Sequence, residues 1–236
     1  MSDIVLLSAT RTPIGAFQGA FAQVSASALG ATAIGGAIKQ AGIAPEVVSD
    51  VLMGNVLQAG QGQAPARQAA LGAGLPPAVR TATVNKVCGS GLQTVMQAAH
   101  GLGAGMGQVY VAGGMENMTQ APYLLPNARQ GHRFGHQQTL DSMIHDGLWD
   151  PHGDQHMGNC AEACAEKYAF SREEQDAYAI ESFQRANQAQ TDGQFAEEIT
   201  AIELTDRKGR VTRVEQDEGP GKVRYEKIPQ LKPAFQ

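Results

Sequence analysis

Val84-Asn85-Lys86-Val87-Cys88-Gly89-Ser90-Gly91-Leu92-Gln93 is the stretch that decides how this chain folds. A short apolar strand, Thr81 to Val84, runs into a turn bearing Cys88. Small residues follow, and then a helix with Leu92, Val95, Met96, Ala99 and Leu102 on one face. Such a turn puts the cysteine at a helix N-terminus, where unpaired N–H groups and the helix dipole stabilise a thiolate. Gly89 and Gly91 leave room for a substrate to approach the sulfur. The pattern is that of an activated nucleophile and points to acyl transfer through a thioester. A lone cysteine in a turn is more often a small buried hydrophobe, so the surrounding sequence has to decide between the two.

Outward from this turn, strand and helix signals alternate up to about residue 113. Ile4 to Ala9 reads as a strand. Leu29, Ala33, Ala37, Ile38 and Ala41 mark a helix face that Gly42 ends. Val51 to Val56 reads as a strand, Ala64 to Ala73 as a helix, and Val109 to Ala112 as a buried strand. Repeated βα units imply an α/β fold with a layered, mostly parallel sheet covered on both faces. Active sites in such sheets lie beyond the carboxyl ends of the strands, where Cys88 and the Gly113-Gly114 turn are expected to meet.

The pattern changes after Thr119. Residues 120 to 156 lack periodicity and hold five of the six histidines. A helix is expected from about Met157 to Tyr168. A second is expected from Ser171, with Glu174 completing a capping box, toward Thr191. Ile199 to Leu204 and Val211 to Val214 read as a hairpin across Asp206-Arg207-Lys208-Gly209. The expected division is an α/β unit over 1–119 and an inserted α+β loop domain over 120–236.

A chain of 236 residues that is 42% apolar can bury a sizeable core. Its net charge of −5 and the lack of a basic stripe argue against nucleic-acid binding. No stretch approaches the apolar length of a transmembrane helix. Met1-Ser2-Asp3 leads straight into Ile4, so no signal peptide is expected. The three cysteines, Cys88, Cys160 and Cys164, lack disulfide spacing and suit a reducing, cytoplasmic setting. Cys160 and Cys164 share a helix face that His156 continues. Two packed thiols explain this better than a metal site, which needs a fourth ligand, so no metal is expected.

The flanking blocks settle the reading of Cys88. Asn85 to Gln93, Ser8-Ala9-Thr10-Arg11-Thr12-Pro13-Ile14-Gly15, Val111-Ala112-Gly113-Gly114-Met115-Glu116-Asn117-Met118-Thr119, His156-Met157-Gly158 and Leu231-Lys232-Pro233-Ala234-Phe235 resemble, in order and spacing, the blocks of the thiolase family. The resemblance implies the N-terminal half of a thiolase-like fold. It also implies a ping-pong Claisen reaction in which Cys88 takes an acetyl group from acetyl-CoA and a second acetyl-CoA attacks it, giving acetoacetyl-CoA. Coenzyme A thioesters are then substrates, and no cofactor is expected. The family's second half supplies a Gly-His-Pro histidine, a Cys-Gly-Gly cysteine and an Asn-bearing strand, none of which occurs here.

Within that resemblance, Cys88 is the nucleophile and its backbone N–H an oxyanion donor. His156 and Met157 border the pantetheine arm and acyl pocket, and Lys222 and Arg224 are candidates for the phosphates of coenzyme A. Glu116 and Asn117 are expected to support the site structurally. Residues 123 to 145 resemble a subunit-contact loop. A homotetramer, or a complementary C-terminal thiolase half, is the expected partner. Gly135 to Asp150 and His156-Met157 favour a biosynthetic acetyl-CoA acetyltransferase. A non-catalytic fragment needing a complementary chain is the alternative. A carrier-protein condensing enzyme fits less well, given the long insertion after Thr119.

Overall fold

Ser25 opens the first helix, α1 (Ala26–Ala41), by accepting the Ala28 N–H. Gly42 closes it in the left-handed conformation, returning its N–H to Ile38 and Lys39. The structure, a computed structural model, describes residues 3–235. The readings placed on Met1, Ser2 and Gln236 lie outside them. After α1 come β1 (Asp50–Gly54), α2 (Pro65–Gly72), β2 (Arg80–Val84), α3 (Ser90–Gly103) and β3 (Tyr110–Gly114). The three strands are parallel in the order β2-β1-β3, with Val51 opposite Thr81 on one side and Val111 on the other. Each crossover is a helix, as parallel pairing requires.

Alternation along β1 assigns the two faces of the sheet. Val51 and Met53 are buried with Ile34 and Ile38 of α1 and Ala66, Ala69 and Ala70 of α2. Leu52 and Gly54 face α3. The contact is so close that a Cβ on Gly54 would stand 2.7 Å from both the backbone carbonyl carbon and the Cβ of Ser90.

Three features differ from the sequence-based expectation. First, Ile4 to Ala9 forms no ladder among the described residues. Ser8 Oγ donates to Ala37 O at 2.8 Å and Thr10 Oγ1 to Ala33 O at 2.9 Å, so the segment leans on α1, with Leu6 84% exposed. An apolar run becomes a strand only where it pairs with an edge, and this run lies along α1 rather than on the open edge of β2 or β3. Second, α1 buries Ala26, Ser27, Gly30, Ile34 and Ile38, so that of the expected face Ile38 is buried and Leu29, Ala33, Ala37 and Ala41 are not, because α1 packs on the small alanines of α2. Third, α3 buries Ser90, Thr94 and Ala98, whereas Leu92 is 68% exposed and Val95 and Met96 are exposed too. The apolar stripe exists, but it faces away from this chain's own sheet.

Beyond β3 the strands are shorter. β4 (Tyr123–Leu124) pairs antiparallel with β5 (Leu140–Asp141). α4 (Ser142–Gly147) leads to β6 (Trp149–Asp150), which pairs with β7 (Gln155–His156). Helices α5 (Met157–Tyr168) and α6 (Arg172–Thr191) follow, the latter with the full Ser171–Glu174 capping box. β8 (Ile202–Thr205) and β9 (Val211–Val214) form the hairpin, and a 3₁₀ turn covers Tyr225–Gln230.

Charged groups tie this second region to the first. Arg11 pairs through its Nε with Glu198 at 2.6 Å and through Nη1 and Nη2 with both oxygens of Asp217, at 2.7 and 3.0 Å. Its guanidinium also lies 5.1 Å from the Phe195 ring centroid. Asp217 accepts the Ile14 N–H, and Glu218 accepts those of Ala16 and Ala20. Lys222 and these two N–H groups hold the Glu218 carboxyl down at about 2. A depressed carboxylate stabilises the fold above its unfolded value near 4.5, and that contribution is lost as pH falls toward 2. Glu218→Gln is therefore expected to lower the unfolding midpoint at neutral pH, with the gap to wild type closing between about pH 4.5 and about pH 2. Urea unfolding across that range measures it, and a gap independent of pH would contradict the assignment.

Candidate active site

The turn between β2 and α3 is built by short-range hydrogen bonds. Asn85 Oδ1 accepts the Val87 N–H at 2.9 Å, and Ser90 Oγ accepts the Lys86 N–H at 2.8 Å while donating to Val87 O. Gly89 N–H reaches Lys86 O and Ser90 N–H reaches Val87 O. These bonds force Val87 to φ 49°, a left-handed conformation that a β-branched residue rarely adopts. The strain is held by Ser90, which is 4% exposed.

The sharp bend leaves Cys88 exposed, one residue before the Gly89 cap of α3. Of the five backbone N–H groups from Lys86 to Ser90, that of Cys88 alone has no acceptor among the described residues. An exposed sulfur beside a free N–H is the arrangement an acyl-enzyme and its oxyanion require.

The turn is seated on the ends of the sheet. Thr94 Oγ1 donates to Gly91 O at 2.7 Å and Gly113 O at 2.9 Å, and a Cβ on Gly114 would lie 3.5 Å from Gly91 Cα. The Cys88 turn thus meets Gly113 and Gly114 at the carboxyl ends of β1 and β3; these two glycines, expected as a turn, are the last residues of β3. Next to them, Glu116 is pinned by the Asn55 amide at 2.8 Å and the Val56 N–H at 2.8 Å. Burial pushes its carboxyl up, and these donors pull against that shift. Asn117 spends its amide on Phe21 O and Val24 O. Both side chains brace backbone.

His156 caps α5, its Nδ1 accepting the Gly158 N–H at 2.9 Å. With Nδ1 so engaged, the proton of the neutral ring sits on Nε2, which can donate. Neither nitrogen then offers a free lone pair. The ring stacks on Phe235 at 4.9 Å, and a Cβ on Gly158 would overlap the same Phe235 ring. Two separate sequence blocks, His156-Met157-Gly158 and Leu231 to Phe235, are therefore one packed unit, with Met157 exposed at its rim. Phe235 lay in a block the sequence singled out, but nothing local pointed to its partner.

The candidate cations differ from one another. Lys222 Nζ is engaged by Glu218 at 2.8 Å, whereas Arg224 is exposed and in no ion pair among the described residues. Cys160 is half-buried and Cys164 exposed, both within α5.

Comparison with known proteins identifies this arrangement. A profile of the thiolase N-terminal domain matches residues 4–236. The chain belongs to the thiolase family. It is 49% identical over 234 residues to acetyl-CoA acetyltransferase 2 of Arabidopsis thaliana, covering 99% of this chain and 58% of that protein. It is 50% identical to the mitochondrial acetyl-CoA acetyltransferase erg10A of Aspergillus fumigatus, covering 100% of this chain and 54% of that one. To a probable acetyl-CoA acyltransferase of Staphylococcus aureus it is also 50% identical, covering 100% and 60%. The crystal structure of the Acat5 thiolase from Ascaris suum in complex with coenzyme A superposes with a TM-score of 0.90 at 36% identity, over 98% of this chain and 58% of that one. The chain thus spans rather more than half the length of the relatives it matches. No helix among the described residues is long and apolar enough to cross a membrane.

Two outcomes test the reading of the Cys88 turn. Under limiting iodoacetamide, peptide mapping is expected to find Cys88 alkylated ahead of Cys160 and Cys164; faster labelling of either helical cysteine in the folded protein would count against the site. Gly54→Ala drives a methyl group into Ser90, and is expected to cost about 1–3 kcal/mol in urea unfolding and to slow Cys88 alkylation. An unchanged stability and labelling rate would show that α3 does not rest on Gly54.

Proposed function

We propose that this chain carries the nucleophile and the substrate-binding segments of an acetyl-CoA acetyltransferase. The Cys88 sulfur attacks the carbonyl carbon of acetyl-CoA, the C–S bond to coenzyme A breaks, and coenzyme A leaves as the thiol after taking a proton. The acetyl group is then held as a thioester while the free Cys88 N–H faces the carbonyl oxygen. A second acetyl-CoA loses an α-proton to a base, its carbanion attacks the thioester, and acetoacetyl-CoA departs as the Cys88 thiolate re-forms. Thiolysis of acetoacetyl-CoA is the reverse. The single observation that carries this reading is the exposed Cys88 with its unpaired N–H on a strained turn, in a chain of the thiolase family.

Residues 120–236 act as a loop domain in this reading. His156 and Met157 border the thioester end of the substrate, with His156 donating from Nε2. Arg224 takes the phosphates ahead of Lys222, which Glu218 already occupies. The base comes from elsewhere, because the tautomer of His156 leaves it without a free lone pair. A complementary C-terminal half supplies that base and covers the apolar stripe of α3, and pairs of halves assemble as a homotetramer through residues 123–145, in the cytoplasm.

Chain 1–236 by itself is then expected to cleave acetoacetyl-CoA at a rate lower by about a hundredfold or more than the assembled enzyme containing both halves, as loss of a general base implies. Sustained turnover by chain 1–236, shown by mass spectrometry to be free of any second polypeptide, would overturn the division of roles.

A further inference from the structure

Helix α6 runs alongside the segment that carries both Arg224 and the approach to Phe235, and two of its side chains grip that segment at separate points. Arg172, in the first turn, donates through Nη2 to Ile228 O at 3.1 Å and Leu231 O at 2.8 Å. Its Nε is held at the same time by Asp176 at 2.8 Å, one turn further on. Asn187, about four helical turns away, donates from Nδ2 to Pro220 O at 2.9 Å and lies 2.6 Å from the Tyr225 hydroxyl.

Neither residue lies among those that face the proposed substrate, yet each fixes a different end of the substrate-binding segment. Arg172 binds the Ile228 carbonyl within the 225–230 turn and the carbonyl of Leu231, the first residue of the run that ends in the Phe235–His156 stack. Asn187 binds the backbone beside Lys222 and the tyrosine that follows Arg224. A capping carbonyl held by a guanidinium is a charge-assisted bond, stronger than a neutral one, and the Asp176 carboxylate orients the donor. A rigid helix thereby sets the spacing between the two ends.

We infer that Arg172 and Asn187 are positioning residues with separable effects: Arg172 sets the thioester end of the substrate site through Phe235 and His156, and Asn187 sets the phosphate end through Arg224. This inference rests on the proposed acetyl-CoA acetyltransferase reading and adds to it two residues that touch no substrate. It also assigns a function to the register of α6, which the sequence marks only by its capping box.

Coenzyme A and pantetheine thioesters separate the two effects, because pantetheine keeps the thioester arm and lacks the nucleotide phosphates. The test measures thiolysis of acetoacetyl-CoA and of acetoacetyl-pantetheine by the assembled enzyme containing both halves. Arg172→Met is expected to raise KM for both substrates by about tenfold, with kcat changed much less. Arg172→Lys keeps one donor and is expected to recover most of that loss. Asn187→Ala is expected to raise KM for acetoacetyl-CoA by about three- to tenfold and to leave acetoacetyl-pantetheine unchanged. Hydrogen exchange at the Leu231 amide, which donates to Ile228 O, is expected to speed up in Arg172→Met but not in Asn187→Ala.

If both variants affect both substrates equally, or if neither changes KM while wild type turns over, the inference fails and the proposed function stands. If Arg172→Met does not fold, the Arg172→Lys and Asn187→Ala pair still decides, since equal losses on the two substrates in both would overturn the separation. A wild-type assembly without thiolysis of either substrate would overturn the proposed function and this inference with it.

Discussion

The approach of α3 to the carboxyl ends of β1 and β3 is the constraint on which the site depends. Gly54 leaves no room for a side chain beneath Ser90, and Gly114 stands against Gly91. Thr94 then ties α3 to Gly113 from within the contact. With the helix held this near the sheet, the connection from Val84 has only a few residues in which to reverse. The reversal takes the form of a strained turn with Val87 in the left-handed region. Strain of this kind costs of order 1–3 kcal/mol and persists only where the surroundings over-determine it. Here the surroundings are the three hydrogen bonds converging on Ser90, and what the strain delivers is a sulfur held out of the fold with a free N–H beside it.

Much of this was legible because it is local. The Ser171–Glu174 capping box, the Gly42 stop and the hairpin around Asp206 are short-range chemistry, and the elements formed where those signals lay. Cys88 was legible for the same reason, since strand, turn and small residues are contiguous. What the sequence alone left undetermined was non-local. The run from Ile4 to Ala9 has the composition of a strand, but a ladder needs a partner that composition does not name. The stripe of Leu92, Val95 and Met96 reads as a core face, yet the face that α3 turns to the sheet is the small one, Ser90, Thr94 and Ala98, because only small residues permit the close approach. The place of the sulfur between strand and helix was visible, whereas the backbone geometry that frames it, and the stacking of Phe235 on a histidine in another block, were not.

Directional charged contacts attach the second region to the first. Arg11 meets two carboxylates and an aromatic ring at once, and Glu218 takes two backbone N–H groups together with Lys222. Bidentate and charge-assisted bonds carry direction that a hydrophobic contact lacks. They fix how the 217–235 segment leaves the α/β layer and, with α6, where that segment ends. The cost is that Lys222, one of two cations expected to meet a phosphate, is largely committed to the fold. The charge pattern by itself could not have distinguished it from Arg224, because both sit in the same short polar run.

The histidine at the start of α5 bears on the source of the base in the proposed reaction. A general base needs a free lone pair within reach of the proton it takes. His156 gives its Nδ1 lone pair to the Gly158 N–H, and its remaining nitrogen carries the hydrogen. Freeing Nδ1 would uncap α5, so the ring as placed is set to donate a hydrogen bond from Nε2. In the reading proposed above the nucleophile and its oxyanion donor sit at one helix end, and His156, as placed, does not serve as the base. The exposed stripe of α3 lies on the very helix that presents Cys88. Whatever covers that stripe comes up beside the sulfur, and in the reading proposed above the same contact that completes the core also brings in the base.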